Sequence, residues 1–385
     1  MTAQKRKICV VVNSRANYAR IKSVLKTVQD HPGTELQLIV GASALLYRFG
    51  NVIDVIREDG FEPHATVYSI VEGENLTTMA KSTGIAILEL ATLFENLKPD
   101  FALTVADRFE TIATAIAASY MNIPVAHTQG GEVTGSIDES VRHAVTKLSH
   151  LHFPATEKAT ENLLRMGENP AHVYWVGCPS IDLIAGLDLS ISRHLIQKYG
   201  GVGVATDPAK PYLVVLQHPV TTQYGQGSAQ INETLNAVAS IGMQTIWLWP
   251  NVDAGSDDIA KGLRVYRERH PNAPIHFFRN FSPEDYVRLI ANTACLLGNS
   301  SSALREGAFL GTPAVNIGSR QANREHGPNV VHAPYNSDRI AESVRAQVHH
   351  GPYEGSSMFG NGKAGEQIAR ILATVEVDIQ KRLHY

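Results

Sequence analysis

The chain has 385 residues, of which 44% are hydrophobic and 18% charged, enough to bury the cores of two ordinary domains. A formal net charge of -3 excludes the overall basic field that draws nucleic acid or an anionic membrane surface, so any anionic ligand must be met by local arginines. Cys9, Cys178 and Cys295 sit in or beside apolar runs without CxxC spacing, which points to reduced thiols in a cytoplasmic protein, not to disulfides or a thiolate metal site.

Lys5, Arg6 and Lys7 precede an apolar run that stops at Val12, too short for an export signal, and nothing approaches the roughly 20 apolar residues of a membrane span. From there β-branched runs alternate with longer amphipathic stretches, the pattern of βα units around parallel sheets. The first half offers seven runs, at 7–13, 36–41, 64–69, 101–105, 123–127, 150–154 and 173–176. Between them, stretches such as 18–28 and 82–97 repeat apolar residues at spacings of three and four and predict helices. The polar, Gly-rich stretch 198–210 leads into six further runs, at 212–217, 244–249, 274–278, 294–297, 313–317 and 330–333. The expected fold is therefore α/β, with two Rossmann-like doubly wound domains, 1–185 and 186–365, facing each other across a cleft. A last segment, 366–385, is helical in pattern and placed to pack back on the first domain.

Strand ends carry the chemistry. The first βα turn, Asn13-Ser14-Arg15-Ala16-Asn17-Tyr18-Ala19-Arg20, lacks the GxGxxG of a dinucleotide site. Arg15 and Arg20 at a helix start suit an anion, although two solvated arginines explain the pair equally well. Asp107 and Arg108 end the strand 101–105; a carboxylate there removes a proton while the guanidinium holds an anion, or Asp107 simply caps the next helix.

The stretch 127–142, HTQGGEVTGSIDESVR, joins an imidazole, a Gly-Gly turn and three carboxylates. Asp138 and Arg142 are spaced as a helical i,i+4 pair, whereas Glu132 has no such structural excuse. His150 and His152 share a strand face, but no third ligand accompanies them and hydrogen-bonded core histidines are the expectation. In the second half, His218 ends a strand, and Ser300, Ser301 and Glu306 follow another in a phosphate cradle or a plain N-cap.

Several of these motifs together resemble the hydrolysing UDP-N-acetylglucosamine 2-epimerases of sialic and legionaminic acid biosynthesis. The resemblance rests on NSRANYAR from Asn13, ADRFE from Ala106, GGEVTGSIDESVRHAVTKLSHLHF from Gly130, GCPSID from Gly177, LQHPVTT from Leu216, PNVDAGS from Pro250, GNSS from Gly298 and GTPAVNIGSRQANRE from Gly311. It implies a GT-B-like fold, a homodimer or homotetramer, no cofactor and no metal. The implied reaction is anti elimination of UDP to a 2-acetamidoglycal, then syn hydration to free N-acetylmannosamine. The alternatives are the same reaction on a nucleotide-linked 2,4-diacetamido-2,4,6-trideoxy sugar, non-hydrolysing epimerisation, or a nucleotide-sugar sensor without turnover.

By the same resemblance Asp107, Asp138 and His218 fall on catalytic positions, with Glu132 an additional candidate. Arg15, Arg20, Arg108, Gln129, Arg142, Ser300, Ser301, Glu306 and Arg320 are implied to line the substrate and nucleotide site. Two positions depart from the family pattern: Asn17 stands where an aspartate is common and Gln129 where a glutamate is common. An amide does not titrate, so Gln129 cannot carry a proton.

Overall fold

The computed structural model describes residues 5–105 and 108–384. Among them, thirteen strands form two sheets. The first comprises β1 (Arg6–Val12), β2 (Thr34–Gly41), β3 (Ala65–Val67), β4 (Phe101–Val105), β5 (Val125–Thr128) and β6 (Leu151–Phe153), all parallel, in the order β3-β2-β1-β4-β5-β6. The second comprises β7 (Val202–Gly203), β8 (Leu213–Leu216), β9 (Thr245–Leu248), β10 (Ile275–Phe278), β11 (Cys295–Gly298), β12 (Ala314–Ile317) and β13 (Val330–Ala333). Its order, β13-β12-β11-β8-β9-β10-β7, repeats the 3-2-1-4-5-6 arrangement of the first sheet and adds β7 as an antiparallel edge. Both sheets are thus doubly wound, as the alternation of runs predicts, and both bury apolar side chains on two faces.

Three local expectations need correction. Residues 173–176 do not form a strand: after the 3-10 turn Pro170–His172, Val173 makes an isolated bridge to His152, and Gly177, with φ of 88°, turns the chain away. β7 was expected as linker because two exposed residues in a Gly-rich stretch carry no hydrophobic pattern; its pairing with His276 and Phe277 comes from the neighbouring edge. The helix expected over 18–28 begins earlier and is broken. Ser14 Oγ caps Arg15–Ala19 by accepting from the Asn17 N–H at 3.2 Å, and Ile21, with φ of -128°, separates it from Lys22–Asp30.

The terminal helix Ala364–Thr374 buries Ile368, Ala369 and Leu372 in the same core as Val24, Leu25 and Val28 of Lys22–Asp30. It stops at Thr374, well short of the expected end at residue 385, and Arg6 donates to the carbonyls of Leu372 and Val375 and holds its last turn. The two chain crossings between the domains lie side by side: the Cys178 N–H donates to Phe359 O at 2.7 Å, within an apolar cluster that includes Ile181, Ile184, Val287 and Ala308.

This topology dictates where a ligand goes. The strand order reverses between β1 and β4 in one sheet and between β8 and β11 in the other, and open α/β sheets bind ligands outside the carboxyl ends of strands at such points. The loops after all four strands carry the residues singled out in the sequence.

Candidate active site

A cleft of about 1110 Å³ separates the two sets of strand ends. Arg15, Arg20, Arg108 and Asp138 line it from the first domain, and His218, Ser300, Ser301, Glu306 and Arg320 from the second. Asp107 lies outside the described residues. Gln129, Glu132 and Arg142 are buried behind the cleft wall and do not line the cavity.

The first turn is held by Asn17, where the family pattern has an acid. Its Oδ1 accepts from the Asn13 N–H at 3.2 Å and its Nδ2 donates to Val105 O at 3.3 Å, so it ties the turn to the end of β4. A carboxylate makes the first bond but cannot donate the second. Arg15 then reaches across the cleft, donating to Arg279 O at 2.7 Å and Trp249 O at 2.8 Å. Arg20 donates to Ser301 Oγ. Burial, followed by the like charges of Arg305 and Arg324, pushes the Arg20 guanidinium below its usual value.

The helix Ile137–Leu148 starts where Ser136 Oγ accepts from the Asp138 N–H at 3.3 Å, and Val141 and Val145 anchor its inner face. That start brings Asp138 to the cleft, 3.3 Å from Arg320 of the other domain. Arg142, one turn on, donates to Glu132 O at 2.8 Å. Gln129 adopts φ of 62° and donates to Cys178 Sγ at 3.3 Å, a bond that an amide N–H supplies and a carboxylate cannot.

His218 Nδ1 accepts the Asn251 N–H at 3.1 Å, which leaves the ring proton on Nε2. Burial, then the charges of Arg320, Arg15 and Arg108, push its pKa well below 6.5, so the imidazole faces the cleft as a neutral donor. Asn299 fixes the same residue from below, its Oδ1 accepting from the His218 N–H at 2.7 Å and its Nδ2 donating to the carbonyl at 2.8 Å. Ser302 hydrogen-bonds to Ser300 Oγ at 2.9 Å and to Tyr286 OH at 2.6 Å, forming a hydroxyl cluster on the second-domain wall of the cleft.

Residues not singled out from sequence also line the cavity, among them Asn251, Asn280, Phe281, Tyr286 and Arg324. Asn251 and Arg324 lie inside quoted motifs, PNVDAGS and SRQANRE, so a signal was present; Tyr286 sits in the amphipathic helix Pro283–Ala291 and reads as ordinary core. Among the described lining residues, five arginines face two carboxylates, and that excess of positive charge is suited to a polyanion.

The histidines at 150 and 152 serve structure. His150 Nδ1 accepts the Val125 N–H at 3.1 Å, and His152 Nε2 lies 2.9 Å from the buried Glu168, which also binds Lys147 and Lys381.

Two doubly wound domains meeting at one arginine-lined cleft define a GT-B-like architecture. The profile of the family described as UDP-N-acetylglucosamine 2-epimerase matches residues 26–373, and the chain belongs to that family. It is 33% identical to a Legionella pneumophila protein named UDP-N,N'-diacetylbacillosamine 2-epimerase (hydrolyzing), over 97% of each chain. It is 28% identical to a UDP-N-acetylglucosamine 2-epimerase of Neisseria meningitidis serogroup B, over 98% of each. The fold superposes, with a TM-score of 0.78 at 19% identity, on the crystal structure of UDP-GlcNAc 2-epimerase from Neisseria meningitidis bound to UDP-GlcNAc, covering 95% of this chain and 99% of that one. No helix among the described residues is long and apolar enough to cross a membrane.

Proposed function

We propose that the protein is a hydrolysing 2-epimerase of a UDP-linked 2-acetamido sugar, releasing UDP and the free 2-epimer. The observation that carries this reading is the convergence, in one cleft between switch-point strand ends, of arginines from both domains, a serine cluster and a neutral histidine donor.

The chemistry asks for that set. The C2 hydrogen is weakly acidic, so the C1–O bond to the diphosphate must lengthen and build oxocarbenium character before a carboxylate takes the proton. As that bond breaks, charge grows on the departing diphosphate. Arg20, Arg320 and the serine hydroxyls, which line the cleft, are the groups assigned to hold it, and a neutral His218 adds an N–H donor that burial strengthens. Elimination forms the C1–C2 double bond and releases UDP; addition of water then delivers hydroxyl to C1 and hydrogen to C2 from one face, the face opposite to that from which the C2 proton left. Asp107 and Asp138 are the carboxylates assigned to these proton transfers, and Glu306 to the ribose hydroxyls.

UDP-N-acetylglucosamine, giving N-acetylmannosamine, is the first substrate reading. The 33% identity to the Legionella protein favours a second, a UDP-linked 2,4-diacetamido-2,4,6-trideoxy sugar. Incubation of both in deuterated water is the test: UDP release with one deuterium at C2 of the free product supports the mechanism and picks the substrate. Retention of the original C2 hydrogen overturns elimination, a stable UDP-linked epimer overturns hydrolysis, and tight UDP binding without turnover of any sugar nucleotide leaves a sensor.

A further inference from the structure

Glu132 was read from sequence as a possible proton carrier; its surroundings describe a different task. It follows the Gly130-Gly131 turn, and its Oε2 accepts from Nη2 of Arg305 and from both Nε, at 3.1 Å, and Nη2 of Arg324. All three side chains are buried. Arg305 adjoins Glu306 in sequence, and its own N–H bonds to Ser301 O at 3.1 Å. Arg324 donates to Gln321 Oε1 at 2.9 Å, while Gln321 Nε2 donates to Asn299 O at 2.9 Å. Both guanidiniums are therefore rooted in the loops that form the serine wall of the cleft.

On the other side, the loop of Glu132 runs straight to Asp138. The Gly135 N–H donates to Arg320 O at 3.0 Å, and a β-carbon at Gly135 would lie 1.8 Å from Ser319 O. The two domains touch there without room for a methyl group.

We propose that Glu132, Arg305 and Arg324 form a buried interdomain latch that holds the cleft closed and so positions Asp138 against Arg320 and the serine wall, Glu132 itself moving no proton. The latch is a property of the fold; what it positions rests on the epimerase reading above. Burial by itself would raise the carboxyl pKa, but Arg305 and Arg324 outweigh it and hold Glu132 at about 2, which makes it a poor base. The charge count gives the latch its direction. Arg305 and Arg324 repel one another in this buried region, and Glu132 is the acid that bridges them. Replacing it with an amide leaves facing guanidiniums with weaker reason to approach, and opening follows.

Backbone hydrogen exchange reads the latch without any ligand. In Glu132→Gln, the amides of Gly135 and Gly255, which donate across the domains to Arg320 O and Glu74 O, should exchange at least about tenfold faster, while those inside β1 and β8 keep their protection. Glu132→Asp, which keeps the charge on a shorter arm, should recover part of the protection. If the amide variant fails to fold, Arg324→Gln, which leaves the Glu132–Arg305 pair, supplies the same comparison. Unchanged protection at Gly135 in a folded variant overturns the latch.

The chemical half is read by affinity and by C2 deuterium incorporation. The latch predicts UDP binding weakened at least about tenfold in Glu132→Gln, with residual turnover that keeps the wild-type pH profile. Normal UDP binding with lost C2 exchange would make Glu132 a proton carrier and overturn the proposal. Should wild-type protein bind no UDP, the epimerase reading falls, while the amide comparison still decides the latch.

Discussion

Arg108 and Asp253 form an ion pair of 3.0 Å across the cleft, with both side chains buried. Arg108 also donates to Glu110 at 3.0 Å, and the attraction of Asp253 and Glu110 outweighs burial, so its pKa is raised and it stays charged. It adjoins Asp107 in sequence. Asp253→Asn should therefore cost about 3 kcal/mol of stability, the usual range for one broken buried pair, and should raise KM more than it lowers kcat. Denaturant titration and steady-state kinetics check both; a variant with wild-type stability and KM would reduce the pair to a bystander.

Asp107 and Asp138 are assigned proton transfers by resemblance, and only Asp138 is described structurally, at the cleft end of Ile137–Leu148. Asp107→Asn should fold, bind UDP and lose more than about 99% of turnover, the scale expected for loss of a general base. Asp138→Asn should lose turnover and also loosen its contact with Arg320, so its UDP affinity should fall as well. Calorimetry alongside C2 deuterium exchange separates the two; equal affinity losses in both variants would make Asp107 a binding residue.

His218 gives the pH prediction. Its folded pKa lies well below 6.5, the value of an unperturbed side chain. A base with a depressed folded value binds more protons when unfolded, so its contribution is present above pH 6.5 and is lost as the pH falls below it. Nitrogen-15 NMR should show one tautomer, protonated at Nε2, unchanged between about pH 6 and 8. An imidazole titrating near 6.5 would remove the neutral-donor role.

Much of this was legible in sequence because the fold is periodic. Thirteen β-branched runs were placed and all but 173–176 became strands, since a parallel strand buried on both faces needs a continuous apolar run. β7 escaped because edge pairing is supplied by the neighbour and leaves no mark on two exposed residues. In the site, nine of the chosen positions line the cleft, Arg320 among them chosen by the resemblance alone, but residue type did not say what each side chain touches. Asn17 looked like a loss of charge and is a two-sided strut; the partners of Glu132, 173 and 192 residues away, are invisible in sequence.

Nucleotide affinity should depend on the serine wall. Ser301→Ala removes the hydroxyl that Arg20 engages, and Arg20 is already disfavoured by burial and like charges. Losing a hydrogen bond to a charged group typically costs about 1.5–3 kcal/mol, so UDP should bind roughly ten- to hundredfold more weakly. Glu306→Gln should weaken uridine diphosphate but leave affinity for pyrophosphate unchanged if it holds ribose. Calorimetry with both ligands tests this, and equal losses for the two would move Glu306 to the diphosphate.

Gly298 ends β11 and sets the whole cradle. Its φ is 129°, in the region that favours glycine, and a β-carbon there would lie 2.2 Å from Leu216 O on the neighbouring strand β8. Backbone on one side and strain on the other leave no rotamer that relieves the contact. The next residue, Asn299, binds His218 through both its amide atoms, and Arg320 and Gln321 donate to its carbonyl at 3.3 and 2.9 Å. Gly298→Ala must therefore either distort the β8–β11 pairing or shift Asn299, and the second route misplaces histidine, arginine and serines together. Expected outcomes are a loss of about 1–3 kcal/mol, the usual cost of a strained backbone position, and a fall in kcat/KM larger than any single side-chain truncation in the serine wall. An alanine variant with wild-type melting temperature and turnover would show that the cradle tolerates the shift and that its geometry is not what fixes the site.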